Sequence, residues 1–266
     1  MDVFIDQYFD LDIISDNFTF VLKGFGETLE LSLLSGALAL TWGLILALLR
    51  QLPGRSLTPV RFLTIAYIDV MRGVPLLLVI LLISGSLPFL AEGLGLPQSI
   101  GIPQWFGKPD PFWYGVFAIT ITYGAYMAEV YRAGIEAVPR GQMEAARSLG
   151  MNHRQAMRHV IVPQAVGKAI PPLLNDFIAL MKDTSLVGVI ALIEVVEAGR
   201  TVQAETFNSS ALTLGAVMFI VVTVPLARLV DRLIARQQQR VGREGGGVAE
   251  PAPAGAAGTG QTGGPV

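Results

Sequence analysis

Four stretches of this 266-residue chain carry no charged side chain: residues 31–49, 73–91, 111–128 and 206–227. A bilayer core of about 30 Å takes about 20 helical residues at ~1.5 Å each, so each stretch is long enough, or nearly so, to cross one. The competing reading is four long buried helices of a soluble protein, but soluble core helices are shorter and amphipathic. The charge content agrees: 15% of residues are charged, whereas a soluble domain carries about a quarter. The expected class is all-α and transmembrane.

Five spans follow from the pattern, near 27–49, 62–86, 112–134, 166–192 and 206–228. The fourth is interrupted by Asp176, Lys182 and Asp183, with Pro171 and Pro172 near its start, and is expected to be kinked or partly re-entrant. Residues 193–205 connect it to the last span. The first residues are acidic (Asp2, Asp6, Asp10, Asp12 and Asp16) with no basic residue before Lys23. A signal peptide needs a basic start, so residues 1–22 read as an exposed arm. The Gly- and Pro-rich loop 92–110 is expected outside. There is no cysteine, which excludes disulfides and cysteine metal sites.

Basic residues orient the spans, because cytoplasmic loops collect Lys and Arg. Arg50, Arg55 and Arg61 lie between spans one and two. Arg140, Arg147, Arg154, Arg158 and Lys168 lie between spans three and four, and Arg228, Arg232, Arg236, Arg240 and Arg243 follow span five. The opposite side has only Lys23, Lys108 and Arg200. The N-terminus is therefore expected outside and the C-terminus inside. The organisation is an N-terminal arm (1–22), a transmembrane unit (23–235), and a basic segment leading into a Gly/Ala/Pro tail (236–266) that cannot bury a core and is expected to be disordered.

The loop 138–163 carries the most specific signal. Read physically, it is two short helices with a turn. Pro139 opens the first, and Glu144 lies in its early turns, where a negative charge suits the helix dipole. Ala145 and Ala146 offer a face without bulk. Gly150 ends the helix with a positive φ. Asn152 with Gln155 fits a capping box for the second helix, and Pro163 marks entry to span four. Such a knob suits docking into a groove of another protein.

Here the chain resembles the EAA loop of ABC importer permeases: Glu-Ala-Ala, three residues, Gly, nine residues, Ile-x-Leu-Pro. Glu144-Ala145-Ala146, Gly150, Val160, Val162 and Pro163 stand at those spacings, with Val for Ile and for Leu. Gly26–Leu29, Arg72-Gly73-Val74-Pro75, Ala128–Arg132, Asn175-Asp176-Phe177 and Lys182–Leu186 are similar to segments of the polar amino acid permease subfamily, which handles histidine, glutamine, glutamate, arginine and opines. The resemblance covers roughly residues 20–235. It implies a five-helix type I permease core in the cytoplasmic membrane with Glu144, Ala145, Ala146, Gly150 and Pro163 in the coupling loop. It also implies two ATPase subunits, a second permease that is identical or homologous, an extracytoplasmic solute-binding protein, and an amino acid as cargo.

ATP and Mg would sit on the ATPase. A phosphate loop needs Gly, four residues, then Gly-Lys-Ser/Thr. Before Gly107-Lys108 and Gly167-Lys168, Ile102 and Val162 stand where the first Gly belongs, and Pro109 and Ala169 follow. No metal site is expected, since His153 and His159 lack a third ligand. The loop also imitates a DNA-binding helix-turn-helix, but it lies between two spans, so no nucleic acid partner is expected.

Two charged groups remain. Asp69 with Arg72, and Glu129 with Arg132, are three apart and share a helix face; each pair reads as a structural ion pair or a gate. Asn175, Asp176, Lys182, Asp183, Thr184 and Ser185 form a polar run that lipid would not tolerate. It reads either as a solute pathway or as charges that neutralise one another and hold two permeases together. If the run were an ion site, the chain would be an ion-gradient-driven carrier or channel, the alternative function. A membrane hydrolase has no matching motif.

Overall fold

The structure, a computed structural model, describes residues 2–52, 54–95 and 107–245, and every regular element among these is helical. Helix α1 (Asp2–Phe9) leads into α2 (Leu11–Arg50). Asp10 caps α2 by accepting from the backbone N–H of Asp12 and Ile13. Together they form 48 residues of helix from Val3 to Arg50, about 70 Å at ~1.5 Å per residue, roughly twice a bilayer core. The acidic arm is thus a helical extension of the first span. It is tied down at its far end, where Gln7 donates to Phe207 O at 2.9 Å and Asn208 donates to Asp6 O at 2.7 Å.

Helices α2 and α5 (Asp110–Glu136) form the central pair. In lipid no hydrophobic effect drives helices together, so close backbone approach by small residues matters more. Two glycines provide it. A Cβ on Gly43 would stand 2.8 Å from Gly124 O, and one on Gly124 would stand 2.5 Å from Trp42 Cδ1. Trp42 Nε1 donates to the Tyr67 hydroxyl at 3.0 Å, which donates to Ile121 O at 2.9 Å. The core around this pair includes Leu31, Ile80, Ile119, Met127 and Leu180.

The expected second span, 62–86, is not one helix. Helix α3 (Thr58–Gly73) stops, Val74 is extended at φ −96° and ψ 130°, and α4 (Leu76–Gly93) departs at 107°. Pro75 is the cause: it has no N–H to continue the ladder and drives the preceding residue out of the helical region. Hydropathy cannot register such a break, because both halves are apolar.

After α5 come α6 (Arg140–Ser148) and α7 (His153–Ala156). A π-helical turn, Met157–Ile161, joins α7 to α8 (Val162–Asp183). Pro171 and Pro172 lie inside α8, which then tightens into a 3₁₀ segment, Thr184–Ile190, and ends at Ala191 with φ 65°. The fourth expected span is therefore α-helical to Asp183 and 3₁₀ beyond it. Glu194 caps α9 (Val195–Thr206), accepting from Val196 N at 2.9 Å and Glu197 N at 2.8 Å. Helix α10 (Ser210–Gly245) carries the last span onward into the basic segment. The expected tail from 246 and most of the expected external loop lie outside the described residues.

Among the described residues, two helices can cross a membrane by length and apolarity, Val3–Arg50 and Ser210–Arg236, or three if the bent pair counts as one span. Only 17% of the most apolar window of Ser210–Arg236 is buried in the fold. Its exposed Ile220, Val221 and Val224 form a face suited to lipid or to a second subunit.

Candidate functional site

Two features stand apart at opposite ends of α8. At its start is the 138–163 knob. Helix α6 opens at Pro139, in extended backbone (φ −57°, ψ 135°). It closes in a Schellman arrangement: Met151 N donates to Ala146 O at 3.2 Å and Gly150 N donates to Arg147 O at 3.0 Å. Gly150 sits at φ 82°, the left-handed geometry that this turn requires. Asn152 and Gln155 form the capping box, each side chain bonded to the other's backbone N–H at 2.9 Å. Val138, Ile161 and Ala165, with Met143 and Met157 against them, make a small core that seats the knob on the membrane helices.

The outer face differs from the expectation in one respect. Glu144 and Ala145 are exposed, but Ala146 is buried and contributes no outer surface. Leu149, next to the turn, is 80% exposed. Sequence reading passed over Leu149 because a lone Leu beside a helix end gives no signal of its direction. Pro163 lies in the first turn of α8, directly after the π turn.

Further along α8 is a cavity of about 400 Å³, within the ~300–1,000 Å³ range of small-ligand sites. Its wall includes the α3–α4 break from Gly73 to Pro75, together with Arg72, Thr122, Tyr123, Tyr126, Asp176 and Asp183. The two aspartates are seven residues apart, so they lie on one face of α8 two turns from each other. The Tyr123 hydroxyl donates to Asp183 Oδ2 at 2.7 Å. Arg72 lies over the Tyr126 ring, 5.8 Å from its centroid. Asp176 Oδ2 is shut away from solvent with no hydrogen-bond partner.

The polar run of α8 is therefore divided. Asp176 and Asp183 reach the cavity, whereas Asn175 and Lys182 are exposed. Thr184 is buried and donates to Met181 O at 2.7 Å, and Ser185 is half-buried in the 3₁₀ segment. The structure adds Thr122, Tyr123 and Tyr126 to the aspartates, and brings in Arg72, which the sequence offered as half of an ion pair or gate. For the added three the cue in the sequence was tyrosines in the middle of an apolar span.

Of the two expected ion pairs, Glu129 and Arg132 are joined, with a separation of 2.7 Å. They belong to a chain of charges, since Arg50 also bonds Glu129 and Arg132 also bonds Glu136. Among the described residues Asp69 and Arg72 are not joined. Asp69 is exposed, and Arg72, one residue from the end of α3, turns to Tyr126 and the cavity instead.

Residues 39–243 match the family described as binding-protein-dependent transport system inner membrane component. The chain is 35% identical over 236 residues to a Bacillus subtilis protein named probable glutamine ABC transporter permease protein GlnM, covering 86% of this chain and 99% of that one. It is 31% identical over 230 residues to the glutamate/aspartate import permease protein GltK of Escherichia coli, covering 86% and 98%. The fold superposes on the crystal structure of an amino acid ABC transporter with histidines at a TM-score of 0.72 and 33% identity, covering 84% of this chain and 96% of that chain.

Proposed function

The chain belongs to the binding-protein-dependent transport system inner membrane component family and has the type I ABC importer permease fold, and on that footing we propose that its cargo is a polar amino acid. It is a multi-pass subunit of the inner membrane. Five segments cross the bilayer: α2, the bent α3–α4 pair, α5, α8 and α10. The N-terminus is outside and the C-terminus inside, in line with the arginines between α2 and α3, in the knob and along α10.

Glu144, Ala145 and Leu149 on the knob meet the groove of an ATPase subunit, which carries the nucleotide. Two permeases, two ATPases and an external binding protein complete the machine. The observation that supports this reading best is that α8 runs from the knob to the cavity in one rod. Its first turn follows the π segment and its last two charged turns carry Asp176 and Asp183. Movement of the knob by the ATPase thereby reaches the cavity wall, and the cavity is the solute's route.

The test is ATP-driven uptake in proteoliposomes holding this chain with its ATPase and binding protein. The panel is labelled L-glutamine, L-glutamate, L-arginine, L-histidine and L-cystine. Uptake of at least one, dependent on both ATP and binding protein, is expected. Uptake that continues without the ATPase overturns the reading.

A further inference from the structure

We infer that the exposed arginines of α10, Arg228, Arg232 and Arg236, hold anionic phospholipid headgroups at the inner surface of the membrane. The inference takes the orientation of α10 from the proposed topology. This helix leaves one face uncovered: only 17% of its most apolar window is buried, and Val217, Val221 and Val224 are exposed. Arg228 follows Val224 by four residues and Arg232 follows by four more, so both continue that face. All three arginines are exposed. Arg228 pairs with Asp231 at 4.0 Å, but the two side chains are 75% and 67% exposed, and water weakens such a pair.

Depth decides what meets them. Counting about 20 residues from Ser210, a bilayer core ends near Val230. Arg228 and Arg232 stand on either side of that level, where the phosphates lie. An arginine there lays its apolar stem along the lipid chains and its head among the headgroups. Its planar fork matches a phosphate. Arg236 is about 6 Å beyond Arg232, within a screening length of about 8–10 Å. From 228 to 243 the sequence sets five arginines against one acidic residue, Asp231. A basic run of that size beside a membrane span attracts anionic lipid. A second copy of the chain, packed here through its own α10, would set arginine against arginine. The charge therefore favours phospholipid over a twin helix on this part of the face.

Lipid retention tests this. The permease–ATPase complex is placed in nanodiscs of equimolar phosphatidylcholine and phosphatidylglycerol and then released. The lipids that stay bound are counted by native mass spectrometry. Phosphatidylglycerol should be retained in preference. Arg228→Gln with Arg232→Gln and Arg236→Gln should cut that preference at least about fivefold, the effect of one arginine beside an anionic surface. Among the single variants, Arg228→Gln and Arg232→Gln should each cut it more than Arg236→Gln. The same three positions changed to Lys keep the charge and should keep the preference. Arg200→Gln, on the exposed side of α9, should leave it unchanged.

An unchanged preference in the triple Gln complex overturns the inference, since the arginines are then merely solvated. So does a triple Gln complex that sheds its ATPase or its second permease, which would make the stripe a protein interface. Loss of preference in the Lys form as complete as in the Gln form overturns it too, because charge is then not what binds. Nanodiscs present two alike leaflets, so each of these outcomes bears on the stripe and not on which end of α10 is inside.

Discussion

Replacing Gly150 isolates one backbone angle. A Cβ built there meets nothing within 4 Å, so a side chain clashes with no neighbour. The whole cost lies in the φ of 82°. For an L-residue the left-handed region costs roughly 1–2 kcal/mol, most for a β-branched side chain. A residue that escapes the strain by leaving that region breaks the two Schellman hydrogen bonds, each contributing about 1 kcal/mol. Gly150→Val therefore disfavours the native turn by roughly 1–2 kcal/mol, about a five- to thirtyfold loss in its population. Asn tolerates the left-handed region and should cost far less, with Ala between.

The assay is ATP-driven uptake together with co-purification of the ATPase. Activity should rank Gly, Asn, Ala, Val, with the protein inserted in the membrane at equal amounts. If Val and Asn behave alike, the turn geometry is not what the knob supplies, and the reasoning fails.

Leu149→Asp and Glu144→Lys each alter an exposed knob residue, and both should lower ATPase co-purification at least tenfold without reducing membrane yield; normal assembly of either refutes the docking face. Because the chain has no cysteine, single cysteines report topology directly: Glu205→Cys should react with an impermeant maleimide on intact cells, and Arg154→Cys only after permeabilisation. Gly43→Val should destabilise the α2–α5 contact by about 1–3 kcal/mol through overpacking, seen as a lower melting temperature. Gly26→Val, in the same helix with open space around its Cβ, should not lower it comparably.

Much of this was readable from the residues, and each part for its own reason. The knob was legible in detail because its cues are local: a capping box, a glycine that must be left-handed and a proline at each end. Spans one and five were legible because long apolar helices announce themselves by composition. The break at Val74–Pro75 was spelled out in the sequence, but an apolar run hides it: the lost helical N–H belongs to the backbone, and hydropathy counts side chains. The cavity was half legible. Two charges seven apart on a helix declare a shared face. That Arg72 turns away from Asp69 to join them depends on how α3 ends against α5, a tertiary fact with no counterpart in local spacing.

The π turn at Met157–Ile161 sets the angular phase of everything beyond it. Such a turn fits one residue more than the α-helix around it would hold, and one residue is about 100° of rotation at 3.6 per turn. The turn absorbs that residue, so Asp176 and Asp183 point where they would in a plain helix one residue shorter. Deleting a residue between 157 and 161 would therefore leave both on the cavity face, whereas deleting one between 164 and 170, in plain α-helix, would turn both aspartates by about 100° and carry them off it, with each helix still of nearly its full length. Composition and charge would scarcely change; the machine's timing mark would be gone.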